Sequence, residues 1–175
     1  FLKRKIESYL GKEQLLKDEE HTKLEKPYLT KARKNFTVAN ILIKISDEDE
    51  IKKVLKLTAD FEMYGWAIIV AYYAMYTSAL AALSKLGFKS KSHAATLAVL
   101  EYYYVHQERE LEVKHLEKLS KAYILSEDLI NKLIQTKTRR ETAQYDATPS
   151  ISMENAKASL ADADEFITRL EEILS

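Results

Sequence analysis

The sequence predicts an all-α protein, an up-and-down helical bundle with an extra N-terminal helix, and three observations lead to that expectation. Only three glycines and two prolines occur in 175 residues, which leaves turn-rich sheet architectures little to build with. Apolar residues recur at three- and four-residue steps along most of the chain, the spacing of one helix face. The 22 positions from Met63 to Ser84 carry no charge, a run too long for a strand and suited to a helix buried on all sides. A chain of this length can bury a core without disulfides or a structural metal. Residues 27–175 are therefore expected to form one compact bundle domain, preceded by a helical extension over 1–26.

Residues 2–20 read as a charged amphipathic helix with Leu2, Ile6, Tyr9, Leu10, Leu15 and Leu16 on a rough stripe broken at Gly11, more an arm than part of the core. Pro27 suits the first turn of the next helix, where its missing N–H costs nothing, and Leu29, Ala32, Phe36, Ala39 and Ile43 carry that helix to Ile45. Ser46 before Asp47, Glu48 and Asp49 has the chemistry of an N-cap with acids in the first turn, so a helix is expected to restart there. The uncharged helix over 63–84 ends at Gly87, the expected C-cap. By length alone this helix could cross a membrane. Its tyrosines at 64, 72, 73 and 76, with Thr77, Ser78 and Ser84, need partners that an isolated span lacks, so a core helix is expected.

Ser92 caps a helix running from Ala95 to Tyr104, and Leu116, Leu119 and Ile124 mark a further short one. Ser126, followed by Glu127 and Asp128, opens a helix towards Arg140, and Tyr145 to Ile151 reads as a loop. Ser152 caps the last helix, where Ala156, Leu160, Ala163, Phe166, Ile167, Leu170 and Ile173 form a seam.

Composition limits the chemistry. Lys and Arg balance Asp and Glu at 27 each, so any nucleic-acid binding must come from a local patch. Without cysteine there are no disulfides, thiolate metal sites or cysteine nucleophiles. His21, His93, His106 and His115 have no spacing that puts two ligands on one helix face, so neither a metal site nor a cofactor is expected. His93 reads as a polar helix-start residue beside Ser92. No glycine-rich phosphate cradle or nucleophile elbow occurs. Lys3, Arg4 and Lys5 are not followed by an apolar signal-peptide core, and a cytoplasmic location without a membrane partner is expected. Tyr72, Tyr73 and Tyr76, like Tyr102, Tyr103 and Tyr104, are read as packing residues rather than base-stacking ones.

The segment Lys137, Thr138, Arg139, Arg140, Glu141, Thr142, Ala143, Gln144, Tyr145, Asp146 sets cations in the last turns of a helix and a phenol and carboxylate just after them. Its bland reading is a C-terminal charge cap with Arg140 paired to Asp146. Lys137, Arg139, Arg140 and Asp146 become phosphate-site candidates, and Arg140 and Tyr145 catalytic candidates, only through the family resemblance that this segment and earlier ones carry. On one continuous helix, five residues would leave Arg140 and Tyr145 about 140° apart. Either the helix ends between them or the pair converges from two subunits.

Ala71-Tyr72-Tyr73-Ala74-Met75-Tyr76, then Gly87 and Lys91-Ser92-His93, resembles the HEPN family, in particular a prokaryotic branch associated with toxin–antitoxin systems. Arg140 through Asp146 looks like that branch's R-x4-Y-D element, and Ser152 to Ile173 is similar to its terminal helix. Together these cover roughly residues 28–174. The resemblance implies a bundle that pairs as a homodimer with its arginine motifs facing one cleft, and a role in binding RNA or a nucleotide. Catalytic relatives carry R-x4-6-H and cleave RNA without metal, the arginine stabilising phosphate charge while the imidazole moves protons. Here Tyr145 stands at the histidine position, and a phenol with a pKa of about 10 is a poor general base near neutral pH. Where some relatives bear a tyrosine that a partner nucleotidyltransferase modifies, this chain has Ala147. Enzyme activity stays open at this point. The alternative function is a non-catalytic module that docks such a nucleotidyltransferase or serves as a scaffold.

Overall fold

The computed structural model describes residues 1–107, 111–123 and 152–175. Their order is α1 (Leu2–Gly11), β1 (Leu15–Lys17), a 3-10 turn (Glu19–Leu24), α2 (Glu25–Asp47), α3 (Asp49–Val54), α4 (Tyr64–Lys85), β2 (Phe88–Ser90), α5 (His93–Leu100), a π-helical segment (Glu101–Gln107), α6 (helical over 113–123) and α7 (Met153–Leu174). The helical bundle expected from the sequence is present, with one small two-stranded ribbon added to it.

The core is built on α4, against which α2 and α7 both pack while also touching each other. Small residues make this close approach possible: Ala32 and Ala39 on α2, Ala71, Ala74 and Ala79 on α4 and Ala163 on α7 are all buried. Phe166, Ile167 and Leu170 of α7 fill the space between, each fully buried. α4 is long and apolar enough to cross a membrane, and 78% of its most apolar window is covered by the rest of the fold. Its exposed large apolar residues are Trp66 and Tyr73, at 53% and 43%.

Polar ties fix the helix pairs. The Arg33 guanidinium on α2 donates from Nε and Nη2 to Glu171 (2.8 and 2.6 Å), from Nη1 to Asp164 (2.8 Å) and from Nη2 to Thr168 (2.8 Å), all on α7. These acids hold its pKa well above the ordinary arginine value, the hydrogen bonds to Glu171 contributing most. At the other end of the bundle Asp47 accepts from the Tyr64 hydroxyl (2.6 Å) and pairs with Lys157 (2.7 Å), joining α2, α4 and α7. Lys157 and then Tyr64 lower the Asp47 pKa, and the same bond pushes the phenol up to about 12. Lys118 on α6 pairs with Glu165 and with Asp162 (3.0 Å), tying α6 to α7.

Several starts and stops fall where expected. Pro27 lies in the first turn of α2, Ser92 accepts from the Ala95 N–H (3.4 Å), and Ser152 accepts from the Asn155 N–H (3.2 Å). Gly87 takes φ +71°, and its N–H donates to the Ser84 carbonyl (2.8 Å), closing α4 in the left-handed turn that favours glycine. Ser46 differs from its expected role as an N-cap. The backbone stays helical through Asp47, and the Ser46 hydroxyl donates to the Leu42 carbonyl (2.8 Å) and accepts from the Met63 N–H (2.8 Å), pinning the approach to α4.

The expected helix over 2–20 also differs. It stops at Gly11, Glu13 turns the chain at φ 55°, and Leu15–Lys17 form a strand antiparallel to Phe88–Ser90, with Leu15 opposite Ser90 and Leu16 opposite Lys89. Strand alternation sends Leu15 inward to complete burial and Leu16 outward. Together with Ile6 on α1, also buried, Leu15 belongs to the main core cluster, so this segment is packed and not a detached arm. The helix over 126–140 and the loop over 145–151 lie outside the described residues.

Candidate functional site

The two sequence elements that stand apart at Tyr72–Tyr76 and Ser92–His93 meet in space. α4 carries Tyr72 and Tyr76 one turn apart on the face turned to α5, and the Ser92 cap starts α5 so that His93 occupies its first position. The Tyr72 phenol is hydrogen-bonded to the His93 ring at Nδ1 and lies 3.1 Å from Nε2. Tyr76 lies 4.2 Å, centroid to centroid, from the His93 ring. From α6, Tyr123 stacks on the imidazole at 4.3 Å with the planes 28° apart. The imidazole is thus enclosed by tyrosines from two helices, and Thr96, one turn along α5, shares a hydrogen bond with the Tyr76 hydroxyl (3.3 Å). Burial raises the Tyr76 pKa, opposed by its bonds to Thr96 and Ser90, so the phenol stays protonated and can donate.

The arrangement is closed. Tyr72 is 2% exposed, and the free space among Tyr72, Tyr76, His93 and Tyr123 amounts to about 10 Å3, at the lower limit for one water and far below the size of a phosphate. The packing reading therefore holds for Tyr72 and Tyr76, whereas Tyr73 is exposed on the outer side of α4, and the cluster acts as a joint between α4, α5 and α6. Tyr104 plays a similar part from the π-helical segment, its hydroxyl donating to the Ala82 carbonyl (2.9 Å), while Tyr102 and Tyr103 meet edge to face at 4.9 Å.

An open groove of about 750 Å3 runs between α2 and α7 past Leu29, Thr30, Lys34 and Thr37, with Arg33 on its wall. The Arg33 fork is committed to Glu171, Asp164 and Thr168, so it has little left to offer an anion. A second depression of about 540 Å3 lies where α2 meets α3, lined by Ile41, Ile45, Ile51, Val54 and Leu55 with Lys44 and Glu50 at its edges. Ile41, Val54 and Leu55 leave 47%, 81% and 50% of their surface exposed there, a large apolar area for one side of a small bundle.

The histidines are dispersed. His115 is buried on α6, its Nδ1 accepting from the Glu112 N–H (3.2 Å) and its Nε2 3.5 Å from Glu165, and burial pulls its pKa below the ordinary value despite that carboxylate. His106 is exposed beside Glu101, and His21 faces Tyr28. Among the described residues no three acidic or histidine side chains are gathered as metal ligands. Lys137, Arg139, Arg140, Tyr145 and Asp146 lie outside the described residues. Sequence reading does not find the part taken by Tyr123, because nothing local marks a residue on one helix as the stacking partner of a histidine on another. The Arg33 clamp is missed for the same reason, its acceptors lying more than 130 residues away.

Neither the curated proteins nor the solved structures hold a significant match to this chain. One family model, that of the HEPN domain, matches residues 39–173. The match runs from within α2 through α4 and the Tyr72–His93 joint to the end of α7, and so covers most of the sequence. The chain belongs to the HEPN domain family.

Proposed function

We propose that this protein binds RNA or a nucleotide as part of a prokaryotic toxin–antitoxin or defence system, working in the cytoplasm as a homodimer whose shared cleft presents Arg140. Membership of the HEPN family points to a function related to nucleotides or RNA, and the family match carries this reading because it spans residues 137–146. In that reading Arg140, backed by Lys137 and Arg139, neutralises phosphate, and Tyr145 donates a hydrogen bond beside it, with Asp146 completing the site. The exposed apolar surface between α2 and α3 supports pairing of two copies, since a monomer gains nothing from leaving Val54 and Leu55 in water. Residues 27–175 form the HEPN-like unit in this proposal, and 1–26 an extension folded onto it.

Metal-independent RNA cleavage is the activity proposed for the cleft. The second reading is a non-catalytic module that docks a nucleotidyltransferase, and Tyr145 favours it, because a phenol is a weak general base at neutral pH.

One experiment addresses both. Arg140→Ala is expected to weaken binding to single-stranded RNA and to lower the salt slope by about 0.7 for the lost phosphate contact. Tyr145→Phe leaves that slope in place, and Tyr145→His raises cleavage by supplying an imidazole. Unchanged affinity and slope in a folded Arg140→Ala dimer would make the segment a helix charge cap and leave the docking reading ahead.

A further inference from the structure

The chain is neutral overall, yet its cations are unevenly placed. Residues 1–17 with 88–92 hold Lys3, Arg4, Lys5, Lys12, Lys17, Lys89 and Lys91 against two acids, Glu7 and Glu13, and all nine side chains are exposed. The rest of the molecule is correspondingly acidic.

None of these seven cations forms an ion pair or side-chain hydrogen bond with a described residue, whereas the cations that hold the bundle together, Arg33, Lys118 and Lys157, are each bound to carboxylates. Structural work does not account for them.

The fold brings three of them, Lys12, Lys89 and Lys91, to one end of the ribbon. α1 packs on α5 and on the ribbon. Lys89 stands opposite Leu16 in the register, on the outward side of the ribbon. The Lys91 N–H donates to the Gln14 carbonyl (2.9 Å), so Lys91 continues that outward side two residues on, next to the turn that holds Lys12. Lys89 and Lys91 are therefore about 7 Å apart on one edge of a strand, fixed by main-chain bonds. The acids Asp18, Glu19 and Glu20 follow only past Lys17, at the opposite end of the ribbon, where the Asp18 N–H donates to the Gly87 carbonyl. On the Lys91 side the chain enters Ser92, His93 and the positive end of α5.

We propose that this face, formed by the ribbon edge at Lys89 and Lys91 with Lys12 of the adjoining turn, is a second contact surface for the RNA backbone. The proposal rests on the RNA-binding reading above. It gives residues 1–17, which precede the span matched by the family, a function of their own in this chain. The α4–α5 connection and the N-terminal segment then act as one phosphate-binding surface, whose rigidity comes from the β1–β2 pairing and the buried Leu15.

The test is a titration of the full-length protein with a fluorescently labelled single-stranded RNA at several salt concentrations. Neutralising both ribbon cations, Lys89→Gln with Lys91→Gln, is expected to lower the slope of log affinity against log salt by about 1.4, two contacts at about 0.7 each. The charge-preserving pair Lys89→Arg with Lys91→Arg should restore it, and adding Lys12→Gln to the Gln pair should lower it further. Weaker binding at an unchanged slope would mean that the lysines serve only the strand, and it would overturn the proposal. An unchanged slope and affinity in the Gln pair, with Arg140→Ala still impaired, would overturn this surface and leave the Arg140 cleft standing. Loss of binding to a polyglutamate probe but not to RNA would reassign the face to an acidic protein segment. No RNA binding by the wild-type protein would remove both sites together.

Discussion

Leu15→Ala tests whether the N-terminal segment is part of the folded core. Leu15 is fully buried in the main cluster although it belongs to a three-residue strand outside the family match. Truncating a buried leucine costs about 2–5 kcal/mol, from lost transfer energy and from the cavity that remains. Complete burial argues for the middle of that range, about 3 kcal/mol. For a domain of this size each kcal/mol corresponds to about 2–4 °C, so the melting temperature should fall by about 6–12 °C. Leu16→Ala is the internal control. It sits on the same strand with the opposite facing and is only half-buried, so its cost should stay near 1 kcal/mol or below. Urea unfolding followed by far-UV circular dichroism measures both. A Leu15→Ala loss under about 0.5 kcal/mol, the range of an ordinary surface substitution, would refute the packed position of the strand. Equal losses for the two variants would show that the pairing matters but the facing is wrong.

Two further outcomes follow from the joint and from the buried histidine. Tyr72→Phe removes the phenol that bonds His93 while keeping the ring contacts, so stability should fall by about 1 kcal/mol; a variant as stable as wild type in denaturant melts would contradict that bond. Burial lowers the His115 pKa in the fold, so the unfolded chain takes up its proton first as pH falls. The stability it contributes is present above the ordinary histidine pKa of about 6.5 and is lost as pH drops towards the depressed folded value. His115→Gln should flatten that part of the stability–pH curve, and an identical curve in the variant would exclude His115 as its source.

The parts of the fold that the sequence makes legible are those decided locally. α4 is marked by its own lack of charge, α7 by its alanine-rich seam, and the starts at Ser92 and Ser152 by hydroxyls that find N–H groups three residues on. The ribbon is not legible, because Leu15 and Leu16 fit a helical stripe as well as a strand. What decides between them is a partner at Phe88–Ser90, more than seventy positions away. Ser46 misleads for a related reason. A helix does restart there, as α3 with Asp49 and Glu50 in its first turn, but it starts from Glu48, because the Ser46 hydroxyl is taken by Leu42 and by Met63, a contact made only after the chain has turned back. Beyond Leu100 the chain tightens no cap and meets no breaker, and nothing in Glu101–Gln107 tells a widened π turn from an ordinary one. In the site region, the sequence singles out Tyr72, Tyr76 and His93 separately, and only the fold joins them through Tyr123.

The central claim is that this HEPN-family chain binds RNA through phosphate contacts, and a salt titration of the wild-type protein with single-stranded RNA tests it most directly. The account predicts binding at low salt whose affinity falls linearly on logarithmic axes, with a slope of magnitude about 2 or more, corresponding to at least three phosphate contacts at about 0.7 each. A correctly folded protein that shows no RNA binding at low salt, or binding indifferent to salt, would contradict it.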